Sequence, residues 1–283
     1  MTLLVQLTDT HIEVPGQLLY GKVDTAQHLR ESVREINAMK PQPDLVMVTG
    51  DLVENPNESS YEHFEQLIAP LKAPTYLMPG NHDDPQLMLE MFGETQRFPA
   101  VHATIQYAIE DFGVRILALN SHYQGSELPD FGSHRLLWLQ QALEESDRPT
   151  LIAIHHPPMR TGISFIDMVG EGWFAGIRDL LELHPQVKLV ICGHGHTDLA
   201  GRIGSVPVYM AGSTAHGLIA ARGQDQAPAF DDRRAAPVLH QWMGEGFVSG
   251  TTPWPAWVGE KRIDRESGLN WDDLKDRMRG SMR

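Results

Sequence analysis

Leu189-Val190-Ile191-Cys192-Gly193-His194-Gly195-His196 is an apolar strand pattern that stops in a pair of histidines set among glycines. A short continuous apolar run reads as a strand buried on both faces. Two histidines at i, i+2 in a glycine-flanked turn can aim two imidazoles at neighbouring metal ions, and a structural turn seldom needs both. In α/β sheets ligands bind in the crevice outside the carboxyl ends of the strands. The stretch therefore predicts an α/β fold with its chemistry at strand ends.

The same placement recurs four times upstream. Asp9-Thr10-His11 follows the apolar run Leu3 to Thr8, and its i, i+2 spacing puts an oxygen and a nitrogen donor on one side. Gly50-Asp51 follows Leu45 to Thr49, where one carboxylate can bridge two cations. Gly80-Asn81-His82-Asp83 follows Tyr76 to Pro79, offering an amide oxygen and a histidine able to donate to a phosphate oxygen or leaving group. His155-His156-Pro157-Pro158 follows Leu151 to Ile154, and only one of these adjacent histidines can easily face the site. Each motif alone has an ordinary reading: a solvated aspartate, a helix cap, a Gly-Asn turn, a packed histidine pair. Together they supply two Asp, one Asn and four His as ligands, plus His82. Imidazole mixed with oxygen donors suits Mn, Fe, Zn or Co rather than Ca or Mg alone. Seven ligands with one bridging carboxylate suit two metals about 3.5–4 Å apart.

Around these motifs the early chain reads βαβαβ. A helix capped by Asp24 or Thr25 carries Ala26, Leu29, Val33, Ile36 and Met39 and ends at Pro41. A second helix is expected over about Ser60 to Leu71. Later come a hairpin around Asp111-Phe112-Gly113, helices near His134 to Glu144 and Phe174 to Leu183, and short strands at Arg202-Ile203, Val206 to Met210, His216 to Ala221 and Val238 to Met243. We expect one two-sheet catalytic domain over residues 1–245 and a tail over 246–283. Four of six tryptophans (Trp242, Trp254, Trp257, Trp271) fall after position 240, and Asn270 can cap a helix bearing Trp271, Leu274 and Met278. That tail packs on its own domain or forms a homo-oligomer interface.

The 283 residues carry 37 acidic and 23 basic side chains, a net charge of −14. This balance argues against a nucleic-acid duplex or an anionic membrane as partner. A single cysteine, Cys192, excludes an internal disulfide framework and a thiolate zinc cluster. The start Met1 to Leu7 lacks a basic region, and no run approaches the about 20 apolar residues of a membrane span. The expected location is cytoplasmic.

The five motifs, in order from Asp9 to His196, resemble the calcineurin-like metallophosphoesterase superfamily. Leu7-Thr8-Asp9-Thr10-His11, Leu19-Tyr20-Gly21-Lys22-Val23-Asp24 and His155-His156-Pro157-Pro158 are similar to its class III cyclic-nucleotide phosphodiesterase and glycerophosphodiesterase branch. The resemblance implies a four-layer αββα sandwich, two mixed sheets flanked by helices. It implies a first metal on Asp9, His11 and His196, a second on Asn81, His155 and His194, and Asp51 bridging both. It selects His155 over His156, since the ligand stands two residues before a proline. His82 and Asp51 become the catalytic pair, with Asn81 and His82 touching the phosphate. Serine/threonine phosphatases of the superfamily carry arginines beside the second and third motifs; here those places hold Leu52-Val53-Glu54-Asn55 and Pro79. A diester, with one less negative charge than a monoester, is therefore the expected substrate.

That reading makes the chain a dinuclear phosphodiesterase of a small diester, first a 3′,5′-cyclic nucleotide such as cyclic AMP. Glycerophosphodiesters are the alternative, and a silent binding scaffold is a third reading, disfavoured because no ligand position is lost. His122 and His216 follow apolar strands and are expected to line the substrate pocket. His28, His63 and His184 fall in helical segments and are expected to pack or face solvent, and His102, His134, His156 and His240 have no assigned role.

Overall fold

The computed structural model describes residues 2–99, 104–219, 229–251 and 270–278. Strand β1 (Leu3–Leu7) pairs in parallel with β2 (Leu45–Thr49), and β2 with β3 (Thr75–Met78). Their register aligns Leu7 with Val48 and Thr49 with Met78, so all three strands release their chains on one edge. That brings the segments bearing Asp9, Asp51 and Asn81 side by side.

The second sheet runs β4 (Tyr107–Ile109), β5 (Arg115–Leu119), β6 (Thr150–Ile154), β7 (Val187–Cys192), β9 (Val206–Met210), β8 (Leu199–Ile203). β5, β6, β7 and β9 are parallel, and antiparallel strands close each edge. Every residue of β2, β5 and β6 is buried, as the unbroken apolar runs require of strands covered on both faces.

Helix α1 (Thr25–Ala38) buries Leu29, Val33 and Ile36, and its N-cap Asp24 accepts from the Gln27 amide at 2.8 Å. It packs with α2 (Glu58–Ile68), capped by Asn57, which buries Tyr61 and Phe64. Helix α3 (Pro85–Phe92) starts on an Asp84 cap with Pro85 in its first turn. Helices α4 (Ser133–Glu144), α5 (Ser164–Asp167) and α6 (Ala175–Leu183) cover the second sheet, Leu139, Leu143, Ile177 and Leu181 meeting Leu117, Ile152 and Val190. The sheets meet through polar ties. Gln6 Nε2 on β1 donates to the Cys192 carbonyl on β7 at 2.9 Å, and Tyr107 Oη on β4 donates to the Leu77 carbonyl on β3. Helices thus flank two mixed sheets, in the expected four-layer order.

The first sheet continues past the boundary drawn at 245. Strand β12 (Val238–Trp242) pairs antiparallel with β1, and β13 (Phe247–Thr251) pairs with β12, giving the order β13-β12-β1-β2-β3. Trp242 ends β12 with its ring 5.2 Å from Phe247. The chain divides into compact units Met1–Thr252 and Pro253–Arg283. In the second, the expected short helix is present as α7 (Trp271–Met278), its Asn270 cap accepting from the Asp273 amide at 2.9 Å. Trp254 and Trp257 lie outside the described residues, as does His102. Where a strand is expected over His216 to Ala221, β10 (Gly217–Ile219) pairs with β11 (Ala229–Asp231) as a two-stranded ribbon, and Ala220 and Ala221 lie outside the described residues. Among the described residues, no helix is long and apolar enough to cross a membrane.

Candidate metal centre

The loops after β1, β2, β3, β6 and β7 converge. The backbone ties them: Asp9 N–H donates to the Gly50 carbonyl at 3.0 Å, and Gly193 N–H to the His155 carbonyl at 2.9 Å. Glycine is required where they touch. A Cβ on Gly50 would sit 2.5 Å from His155 Nδ1, one on Gly80 would strike the Asp51 carboxylate, and one on Gly193 would strike the Thr8 hydroxyl. Asp9, His11, Asp51, His194 and His196 all have φ between 43° and 69°. Left-handed backbone at a non-glycine residue costs about 1–3 kcal/mol and collects where function demands it.

Two donor sets result. In the first, His196 Nε2 is 3.4 Å from Asp9 Oδ1 and 3.1 Å from His11 Nε2. In the second, Asn81 Oδ1 is 3.0 Å from His155 Nε2 and 2.8 Å from His194 Nδ1. Asp51 Oδ2 lies between them, 3.7 Å from His11 Nε2 and 3.3 Å from His155 Nε2. His155 Nδ1 donates to the Thr49 carbonyl at 2.8 Å, His196 Nδ1 to the His216 carbonyl at 3.2 Å, and His11 Nδ1 to Glu54 Oε2 at 2.7 Å. Each ring is thereby oriented with Nε2 turned inward, as ligating histidines usually are.

The donor chemistry fits two cations. Asp9 and Asp51 are buried to 0 % and 2 % exposure, and their ion pairs are with histidine nitrogens rather than Lys or Arg. Burial raises the Asp9 carboxyl, but His196 and His155 overcome this and hold it at about 2. Burial opposes ionisation of Asp51 too, and the His155 charge carries it well below the carboxylate range. Burial lowers His155, yet Asp51 and Asp9 push it up to about 9. His194 falls to about 3 through burial and the His155 charge, leaving a neutral ring. Two buried carboxylates thus converge with histidine nitrogens, the donor chemistry of a site for cations.

His82 N–H donates to Asp51 Oδ1 at 2.9 Å, and its ring stands 4.8 Å from His11. Burial disfavours its cation, but Asp51 and Glu54 together raise its pKa above the ordinary value. Its Nε2 lies 3.6 Å from Glu127 Oε2. His82, Asn81 and His122 line one cavity of about 1060 Å³. His216 lies on the other flank, its ring 4.5 Å from His196, and its buried Nε2 has no hydrogen-bond partner.

His156 lies beside the second donor set, its ring 4.6 Å from that of His194. Its Nδ1 is 2.8 Å from Ser121 Oγ and its Nε2 is 3.3 Å from the Glu127 carbonyl, so both nitrogens are engaged. His28 and His63 pair with the Ala215 and Glu13 carbonyls, packing roles as expected. Three acids had no role assigned from the sequence. Glu54 orients His11, and Glu127 accepts from Asn81 Nδ2. Asp83 accepts from the Gly80 amide at 2.9 Å and the Leu52 amide at 3.1 Å, locking the second and third loops together. Glu54 stands three residues after Asp51, a signal available in the chain; nothing in the sequence marks Glu127.

Residues 2–198 match the family described as calcineurin-like phosphoesterase, and the chain belongs to it. It is 33 % identical over 263 residues to a protein of Arcobacter nitrofigilis named probable glycerophosphodiester phosphodiesterase GpdQ, covering 91 % of this chain and 94 % of that one. It is 29 % identical over 197 residues to the 3′,5′-cyclic adenosine monophosphate phosphodiesterase CpdA of Escherichia coli, covering 69 % of this chain and 70 % of that one. Among solved structures, a purple acid phosphatase from yellow lupin superposes with a TM-score of 0.60 at 16 % identity, over 84 % of this chain and 49 % of that one.

Proposed function

We propose that this phosphoesterase is a dinuclear-metal phosphodiesterase of small diesters, with glycerophosphodiesters as first substrate. The observation that carries the choice of diester is the charge of the cavity beside His82. Its lining includes Glu54, Asp84, Glu90 and Glu127, and the single Lys or Arg among its described residues, Arg135, is held by Asp130. A monoester dianion would meet acid where a phosphatase needs arginine; a diester monoanion meets half that repulsion. Asn55, Gln86 and Asn120 on the same wall suit a hydroxyl-bearing arm. The likeness to the glycerophosphodiester phosphodiesterase spans 91 % of the chain, which favours that head group. The cyclic-nucleotide reading stands second, supported by likeness over 69 % of the chain.

In this reading Asp9, His11 and His196 hold one transition-metal ion, Asn81, His155 and His194 another, and Asp51 both. Bound Mn, Fe, Co or Zn would supply Lewis acidity toward the phosphoryl oxygens and lower the pKa of a water. Glu54 fixes the tautomer of His11, and Thr49 that of His155. His82 donates its ring N–H to a phosphoryl oxygen or to the departing alkoxide. His122 and His216 border the substrate. A cytoplasmic location, and subunit association through the chain after Thr251, complete the proposal.

The test is a panel of glycerophosphocholine, cyclic AMP, cyclic GMP, a nitrophenyl diester and nitrophenyl phosphate, assayed after Mn or Co loading. The expected result is kcat/KM for the best diester about 10²-fold above the monoester, one difficult charge interaction being worth a few kcal/mol. A monoester preference, or no turnover of any diester, overturns the reading.

A further inference from the structure

A second cavity, of about 600 Å³, shares Glu127 with the first and takes His156 and His194 into its wall. The rest of its lining is mainly apolar, with Met159, Phe165, Ile166, Val169 and Trp173. It adjoins the donor sets directly. The Trp173 ring stands edge-on to His156 at 6.2 Å, and His156 lies 4.6 Å from His194. His194 in turn is the ring whose Nδ1 sits 2.8 Å from Asn81 Oδ1. Such a volume is that of a small-molecule site, and a mostly apolar wall with polar groups near one end is its usual make-up.

Its carboxylates are already engaged. Asp167 accepts from the Thr161 amide at 2.8 Å and the Gly162 amide at 2.9 Å. Glu171 pairs with Arg178 at 3.1 Å and Arg160 at 4.0 Å. Glu127 accepts from Asn81 Nδ2, so a cationic arm would find each acid of the lining already partnered, and an anionic arm would meet three acids against Arg160, itself 4.0 Å from Glu171. An uncharged apolar group would bury against aliphatic and aromatic walls at no such cost.

We propose that this cavity seats an uncharged apolar arm of the substrate, aryl or alkyl, while phosphorus lies at the donor sets and the polar arm enters the cavity beside His82. Trp173 and Val169 are then specificity-determining residues. The proposal rests on the diesterase reading and extends it to diesters with one hydrophobic alcohol, a class that glycerophosphodiesters with polar head groups do not cover.

Phosphonates with the same charged end test it: methyl-, hexyl-, phenyl- and trimethylammonioethylphosphonate. Each is titrated calorimetrically into the metal-loaded protein and used as an inhibitor of glycerophosphocholine hydrolysis. Hexyl or phenyl should bind at least about tenfold more tightly than methyl, the gain from burying several methylenes or a ring. Which of the two leads separates an alkyl from an aryl arm. The ammonium compound should gain nothing over methyl. In Val169→Trp, which fills the cavity, and in Trp173→Ala, which strips its wall, the ratio of methyl to hexyl affinity should fall toward one. That ratio is read only from variants whose melting and metal content show them folded. Equal affinities across the series, tightest binding by the ammonium compound, or an unchanged ratio in both variants overturns the proposal. A preserved hexyl or phenyl preference in a protein that hydrolyses no diester supports the subsite and counts against the diesterase reading instead.

Discussion

Asp51 is the residue on which both donor sets depend, because its Oδ2 lies within 3.7 Å of His11 Nε2 and 3.3 Å of His155 Nε2. Asp51→Ala should empty both metal positions, read by elemental analysis, and abolish turnover; a variant holding one full equivalent with near-normal rate would refute the bridging role. His82 differs in kind: its backbone N–H donates to Asp51, its Nδ1 lies 3.1 Å from the Glu54 carbonyl, and its Nε2 faces the cavity 3.6 Å from Glu127 Oε2. His82→Ala should keep both metals and lose about 10²–10⁴-fold in kcat on an alkyl diester. The loss should shrink on a nitrophenyl diester, whose leaving group needs little protonation, and an equal loss on both would mean charge stabilisation alone. These residues were legible because each ends an apolar strand. The choice between His155 and His156 was not legible from alternation alone; it came from the resemblance. In the structure His156 is held by Ser121 and the Glu127 carbonyl. Glu127 was invisible because it reaches Asn81 from a loop 46 residues away.

Between the sheets, one polar relay involves a histidine with no role foreseen in the sequence. His240 on β12 lies fully buried, its Nε2 3.0 Å from Gln6 Oε1 on β1 and its Nδ1 2.8 Å from Ser249 Oγ on β13. Burial takes its pKa from 6.5 down to about 3. Below pH 6.5 the unfolded chain takes up a proton that the folded chain refuses. Stability present above that pH therefore drains as pH falls toward 3, by up to about 1.4 kcal/mol per unit. Urea unfolding at pH 6.5 and 5 should show a smaller loss for His240→Gln than for the parent, by about 2 kcal/mol. Equal losses would show that His240 does not govern the slope. Helix α3 carried a sequence signal that went unread, an Asp84 cap followed by Pro85. Strand β13 was hidden by counting tryptophans, although Gly244-Glu245-Gly246 before Phe247 is turn chemistry between two strands.

For the whole molecule, β13 moves the edge of the folded unit from the expected 245 to beyond Thr251. A chain ended at Gly244 would expose the β12 edge and leave His240 without Ser249. It should melt below a chain ended at Thr251, with a greater tendency to aggregate; equal melting temperatures would show that β13 adds nothing to the sheet. The parallel core of each sheet and the order of layers were readable from βα alternation, since buried parallel strands announce themselves as unbroken apolar runs. The pairing of β12 with β1 joins chain ends more than 230 residues apart, and no local pattern reveals such a partner.

The amide of His194 donates to Asp9 across 185 residues of chain, and the donor sets draw on loops from both sheets. Ions held there would therefore act as a staple, closing a long loop of the fold much as a disulfide does in a secreted protein. Anything that binds only the folded state deepens its well, and closing a long loop restricts the unfolded chain most. Chelation should thus show itself in a protease digest, with faster cleavage of the stripped protein and protection restored by Mn or Co. Identical digestion with and without metal would mean that the two sheets hold the loops together unaided.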